Sequence, residues 1–80
     1  MRLPRDLTGA QLVRALGELN YKATRQTGSH VRLTCEAPVQ HHVTVPLHDP
    51  LRIGTLASIL SAVAEAHGLT REELQIKIMI

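Results

Sequence analysis

Aromatic side chains are almost absent from this sequence. Its 80 residues include one tyrosine, Tyr21, and neither tryptophan nor phenylalanine. Any hydrophobic core must therefore consist mainly of aliphatic side chains, and these are available because 44% of the residues are hydrophobic. The same scarcity disfavours a surface that binds single-stranded nucleic acid by stacking bases on aromatic rings.

Cysteines and long apolar runs are also scarce. Cys35 is the single cysteine, which excludes an intramolecular disulfide framework and fits a reducing compartment, with Cys35 packed in the core. No apolar run approaches the roughly 20 residues that a membrane-spanning helix needs. The opening residues MRLPRDL lack the apolar segment of a signal peptide. We therefore expect a cytoplasmic protein without membrane association.

Charge is slightly positive and unevenly distributed. The formal net charge is +2 at pH 7. Basic residues predominate in the first two-thirds of the chain, whereas acidic residues crowd the C-terminal part. The basic group comprises Arg14, Lys22, Arg25, Arg32 and Arg52, and the acidic group Glu65, Glu72 and Glu73. This distribution allows one side of the molecule to face a polyanion.

Two stretches have helical spacing of apolar residues. Thr8 and Gln11 form a capping-box pattern before the first, which predicts a helix from Gly9 to Leu19 with Asn20 as its stop. The second is predicted to begin at Gly54-Thr55 and to end before Gly68, a residue typical of the position after a helix.

The middle of the chain alternates with a period of two. This pattern predicts strands over Tyr21–Gln26, His30–Cys35 and His41–Pro46. In the second strand, Val31, Leu33 and Cys35 share one parity and His30, Arg32 and Thr34 the other. We expect one buried face and one solvent face, with His30, Arg32 and His42 on the solvent face.

The last residues allow two interpretations. Thr70 and Glu73 form a second capping box, which predicts a short third helix, but residues 74–80 alternate like a strand. The sequence as a whole predicts an α+β fold: a two-layer α-β-β-β-α domain that matches the double-stranded RNA-binding fold. We expect a single domain over residues 1–80, with a core of about 8–69 and a C-terminal extension of 70–80.

Three motifs occur in a characteristic order. They are Gly28-Ser29-His30, Thr44-Val45-Pro46 followed by His48, and Gly54-Thr55-Leu56 followed by Ser58-Ile59-Leu60. With this order and spacing, the sequence resembles the HicA toxin family from Thr8 to about Leu69. The resemblance implies an RNA-cleaving toxin (an mRNA interferase) of a type II toxin–antitoxin pair, controlled by a HicB-type antitoxin protein. It also implies that His30 is the essential histidine.

The residues around His30 suit RNA cleavage on chemical grounds as well. The reaction needs a base for the 2′-hydroxyl proton and an acid for the leaving oxygen, and histidine can be either near neutral pH. Gly28 permits close approach of a phosphate, and Ser29 can donate a hydrogen bond to it. Arg32 and His48 are candidate assisting residues. Without the family resemblance, an exposed histidine that begins a strand would be the simpler interpretation.

Further candidates for RNA binding are basic side chains and a helix start. Lys22, Arg25 and Arg52 could contact phosphates, although each alone is more simply a solvated charge. Arg25 has the apolar parity of its strand and must leave the core near the strand end. The second helix offers free N–H groups at Gly54 and Thr55, and Thr55 is also its expected cap.

Metal binding is disfavoured. His41, His42, His48 and Cys35 could be considered as ligands, but His41 and His42 have opposite parity and the spacing fits no zinc pattern. We therefore expect a metal-independent endoribonuclease without cofactors. The alternatives are a non-catalytic RNA-binding module and a protein-interaction domain. The alternating Ile76, Ile78 and Ile80 are candidates for an antitoxin or homodimer contact.

Overall fold

The computed structural model describes residues 2–80, and its elements follow the predicted order. The elements are α1 (Gly9–Leu16), β1 (Lys22–Thr27), β2 (His30–Cys35), β3 (His41–Pro46), α2 (Ile53–Ala66) and α3 (Arg71–Ile78), with a 3-10 turn at Gly17–Leu19 after α1. The strands form one antiparallel sheet in the order β1-β2-β3. The predicted α+β class and the α-β-β-β-α arrangement are confirmed.

The core lies between the helices and one face of the sheet. Along β2, Val31, Leu33 and Cys35 are buried while His30 and Arg32 are exposed, as the alternation predicted. The helices contribute aliphatic side chains to the same cluster, which Tyr21 completes. Its helical members are Leu12, Leu16, Leu56, Ile59, Leu60, Val63, Ala64, Leu74 and Ile78. Among residues 2–80, no helix covers the other face of the sheet.

Local capping sets several helix ends. Thr8 with Gln11 and Thr70 with Glu73 form complete capping boxes, so both predicted N-terminal signals are confirmed. Gly68 adopts a left-handed conformation (φ 67°) after α2, where its N–H donates to the Glu65 carbonyl. Each cap satisfies backbone groups that the helix itself leaves unpaired.

Several boundaries differ from the predictions, among them the end of β1, which is Thr27 and not Gln26. The α-helix ends at Leu16 and continues only as a 3-10 turn, and β1 begins after Tyr21 because that side chain turns into the core. The second helix begins at Ile53 with Arg52 as its N-cap, and no side chain caps it. Thr55 therefore lies inside the first turn, and its expected capping role is wrong.

The C-terminal residues form a helix, and the strand interpretation of residues 74–80 is wrong. Helical spacing buries Leu74 and Ile78 on one face of α3, whereas Ile76 is 65% exposed. Gln75 is also buried, and its amide donates to the Arg2 carbonyl. Along residues 2–80, no helix combines the length and the apolarity that crossing a membrane requires.

Candidate functional site

The open face of the sheet carries most of the candidate residues in three cross-strand rows. The register aligns Thr27, His30 and Pro46 at one end, Arg25, Arg32 and Thr44 in the middle, and Lys22, Thr34 and His42 at the other end. We call the end with His30 the hairpin end, because the β1–β2 turn lies there. The face is rich in hydroxyl, imidazole and cationic groups, which suits binding of a polyanion.

His30 follows a two-residue turn. Gly28 has a φ of 58°, a conformation that side-chain-bearing residues rarely adopt, and a Cβ added there would meet nothing within 4 Å. Ser29 and His30 are exposed, as Gly28 is. The turn therefore leaves open space beside the backbone at Gly28.

His48 lies beside His30 because the loop after β3 is fixed on two sides. The Leu47 N–H donates to the Ser29 carbonyl (2.6 Å), and the His48 carbonyl accepts from the Gly9 N–H (2.9 Å). The two imidazole rings are 6.5 Å apart between centroids, with an interplanar angle of 69°. Both are exposed, and no hydrogen bond joins them. A substrate group can therefore reach both rings.

Gly9 is a positioning residue that sequence reasoning missed. A Cβ at this position would overlap the Pro46 carbonyl oxygen and lie 2.8 Å from the Leu47 Cα. The absence of a side chain lets the start of α1 approach the loop closely enough for its N–H to bind the His48 carbonyl. A glycine in the first turn of a helix, where it weakens the helix, was the available signal.

Arg25 lies on the open face, which corrects the parity assigned to it. Ala23 pairs with Leu33 and Arg25 with Arg32, so the register shifts by one residue at Thr24. This β-bulge turns Arg25 away from the side of the helices. Arg25 therefore lies opposite Arg32, and both side chains are exposed.

The remaining candidates are not all brought to His30. Lys22 is opposite Thr34, two rows away from His30. Arg52, Gly54 and Thr55 form the beginning of α2, and Arg52 and Gly54 are exposed. Within residues 2–80, these three residues form no hydrogen bond with His30 or His48.

A second pair of histidines surrounds Tyr21 elsewhere in the molecule. The Tyr21 hydroxyl lies 2.7 Å from His41 Nδ1 and 3.1 Å from His67 Nε2. Because a phenol has one proton, it donates to one ring and accepts from the other. Sequence reasoning missed His67 and this role of Tyr21. A buried tyrosine hydroxyl needs a partner, but the sequence does not indicate which residue supplies it.

Burial changes the ionisation of this group. It raises the pKa of Tyr21 to about 12, with a further contribution from Cys35. Burial, and then the proximity of His41, lowers the pKa of His67. The Cys35 thiol donates to the carbonyls of Leu19 and Ala37. These groups are engaged in holding the fold together.

The five histidines do not assemble into a metal site. His42 lies on the open face, where its Nδ1 is 2.9 Å from the Thr34 hydroxyl, and His41 binds Tyr21 instead. Over residues 2–80, no three His, Cys, Asp or Glu side chains are grouped as metal ligands would be.

Comparison with known proteins identifies a family to which most of the chain is similar. A family model described as "HicA toxin of bacterial toxin-antitoxin" matches residues 9–65. No curated protein and no solved structure matches the chain. The matched region covers most of the chain: it begins with α1, contains the whole sheet with His30 and His48, and ends near the end of α2.

Proposed function

Because this chain belongs to the HicA toxin family of bacterial toxin–antitoxin systems, we propose that it is a metal-independent endoribonuclease that cleaves mRNA. The observation that carries this proposal is the pair of exposed imidazoles at the hairpin end, 6.5 Å apart. Within the part of the chain that the structure describes, neither imidazole has another side-chain partner. Two such neighbouring histidines can supply a base and an acid to one substrate.

The proposed reaction uses the 2′-hydroxyl of RNA as its nucleophile. One imidazole accepts the hydroxyl proton while the 2′-oxygen bonds to phosphorus. The bond from phosphorus to the 5′-oxygen breaks, and a second proton donor protonates that oxygen. The products are a cyclic phosphate and a free 5′-hydroxyl. Because protein side chains carry out both proton transfers, the proposed reaction uses neither a metal ion nor an external cofactor. His30 is the proposed catalytic residue, and His48 its partner in proton transfer.

Other candidates have binding roles in this proposal. The open turn at Gly28 admits a phosphate, the Ser29 hydroxyl donates to it, and Arg32 opposes its charge. Lys22 and the start of α2 (Arg52, Gly54 and Thr55) contact more distant phosphates, which adds affinity without sequence choice.

A partner protein is part of the proposal. A toxin that cleaves cytoplasmic mRNA must be neutralised in its own cell, and we propose a HicB-type antitoxin that covers the hairpin end. His30 is exposed at the hairpin end of the central strand β2, where a bound protein would exclude RNA. In this proposal, complex formation abolishes cleavage.

Cleavage of a defined RNA by purified variants tests the function. His30→Ala is expected to lower kcat by about 10²–10⁴, the usual contribution of one acid–base group, and His48→Ala by about 10². His42→Ala is the matched control: it removes an exposed imidazole from the same face and leaves cleavage unchanged. All three should unfold in urea near the wild-type midpoint, because none of these side chains is buried.

The alternatives give different results in the same assay. RNA binding without cleavage by the wild-type protein would indicate a non-catalytic RNA-binding module. The absence of both binding and cleavage would favour a protein-interaction domain. Activity that is lost with a chelator and restored by a divalent ion would contradict the metal-independent mechanism.

A further inference from the structure

The bulge at Thr24 creates an arrangement that strand alternation would not. Without it, Arg25 would share the face of Ala23 and oppose Val31, on the side of the core. Thr24 is accommodated on the open face, where its hydroxyl lies 2.9 Å from the Thr34 hydroxyl and donates to the Arg32 carbonyl at 3.4 Å. Bulges that redirect a side chain are common beside functional sites.

The result is a pair of like charges in direct opposition. Cβ atoms of directly paired residues on neighbouring strands are about 5 Å apart, and like charges at such positions destabilise a sheet. Between residues 2 and 80, neither guanidinium has an acidic partner to offset the repulsion between Arg25 and Arg32. We therefore expect the pair to cost stability in the free protein, and a bound anion would remove that cost.

The position of the pair connects it to the candidate catalytic residue. Arg32 is two residues from His30 on the same face of β2, a separation of about 7 Å along a strand. Arg25 is held at the same level by the sheet register. Two exposed arginines at opposing positions of the sheet allow both planar guanidinium groups to donate N–H groups to the oxygens of one phosphate.

We propose that Arg25 and Arg32 form a clamp that binds one phosphate of the RNA backbone beside His30. The proposal rests on RNA being the substrate. The phosphate replaces the repulsion between the two side chains with attraction to both, and the sheet fixes its distance from the imidazole. The clamp holds RNA of any sequence in register with His30, because phosphate contacts carry no base information.

RNA binding tests the clamp when cleavage is switched off. Arg25→Gln, Arg32→Gln and the double variant are made in the His30→Ala protein, and their affinities for a short single-stranded RNA are measured. Each single substitution should weaken binding about 10-fold and lower the slope of log affinity against log salt by about 0.7–1. Since both side chains hold one phosphate, the second substitution should cost clearly less than the first.

Arg14→Gln is the control for net charge. It removes one exposed cation from α1, away from the open face, and should change RNA affinity by less than about 3-fold. Equal losses of RNA affinity for Arg14→Gln and Arg25→Gln would show that Arg25 acts only through general electrostatic attraction, which would overturn the clamp. Fully additive losses at Arg25 and Arg32 would assign the two side chains to different phosphates and overturn it as well.

Stability provides a readout of opposite sign. In low salt without RNA, Arg25→Gln should raise the urea midpoint because it relieves the repulsion from Arg32, and high salt should remove this gain. A residue with a structural role would lower the midpoint instead. Unchanged RNA affinity or a lowered midpoint for Arg25→Gln would overturn the clamp.

The clamp and the nuclease proposal fail separately. Cleavage by the wild type together with unchanged binding by the arginine variants would remove the clamp and leave the nuclease. If the wild-type protein never cleaves RNA but Arg25→Gln and Arg32→Gln weaken RNA binding non-additively, the clamp stands and the nuclease proposal is wrong. Undetectable RNA binding by the His30→Ala protein overturns the clamp.

Discussion

The two histidine pairs use the same side chain in opposite ways. His30 and His48 are exposed at the hairpin end and have no hydrogen bond between them. His41 and His67 are half-buried and hold the hydroxyl of Tyr21 between them. The first pair keeps its nitrogen atoms available to a substrate, whereas the second uses them to satisfy a buried polar group.

The comparison shows that the hydrogen-bond partners of a histidine, rather than its residue type, distinguish a candidate catalytic role from a structural one. A histidine that already binds a protein group loses that bond when it transfers a proton elsewhere. An exposed histidine has no such cost. At the hairpin end, the backbone rather than a side-chain partner holds the imidazole of His48 in place, since its loop is fixed through main-chain hydrogen bonds from Gly9 and Leu47. The imidazole is positioned without being occupied.

The support of His48 can be disrupted without touching either imidazole. Gly9→Ala places a methyl group into the Pro46 carbonyl, and this overpacking should lower the free energy of unfolding by about 3 kcal/mol. Urea unfolding measures the change. Gly17→Ala is the control, because a Cβ at that position meets nothing within 4 Å, and it should shift the free energy by less than about 1 kcal/mol. Equal effects at the two glycines would contradict the close approach of α1 to the loop.

The structural pair can be tested by removing one oxygen atom. Tyr21→Phe keeps the ring in the core but leaves His41 and His67 facing no hydroxyl, which should cost about 2 kcal/mol of unfolding free energy. Cleavage of RNA should be unchanged at temperatures where the variant is folded. A stable variant that cleaves RNA poorly would reverse the roles assigned to the two pairs. For comparison, His42→Ala should cost about 0.5 kcal/mol or less.

The pH dependence of stability sharpens the contrast at the smallest scale. The pKa of Tyr21 is raised from 10.0 to about 12. The stability that the protonated hydroxyl contributes to the fold is therefore fully present below pH 10.0 and is lost as the pH rises through about 12. The pKa of His67 is lowered from 6.5, so its contribution is present above pH 6.5 and declines as the pH falls.

Ultraviolet absorbance can follow the first of these titrations directly. Tyr21 is the only tyrosine, and the chain has no tryptophan, so phenolate absorbance reports this residue alone. The titration should have a midpoint near 12 in the folded protein and return toward 10.0 in concentrated urea. A folded-state midpoint at 10.0 would show that burial in the core does not raise the pKa of the Tyr21 hydroxyl.

Much of the fold could be predicted because its signals are local. The alternation along β2 placed Val31 and Leu33 inside and His30 outside, since successive side chains of a strand point to opposite faces. The capping boxes at Thr8 and Thr70 were visible because each needs only two residues three positions apart. The exposure of His30 follows from the same local rule.

Local sequence patterns gave wrong or ambiguous predictions in two places. In one, an extra residue shifts the strand register, and in the other the same residues fit both a strand and a helix. The bulge at Thr24 inverted the face of Arg25, and nothing in the letters around it marks an extra residue in the strand. Residues 74–80 fitted a strand by alternation and a helix by capping. The helix forms because it buries Leu74 and Ile78 together against the core.

The sequence by itself determined the element order, the family-like motifs around His30 and the solvent face of β2. Only the tertiary structure decided which histidines meet. His48 is 18 positions from His30 and reaches it through the loop bonded to Gly9, whereas His67 reaches Tyr21 from 46 positions away. Periodicity describes neighbours along one element, but contacts between elements depend on how all the buried faces pack at once.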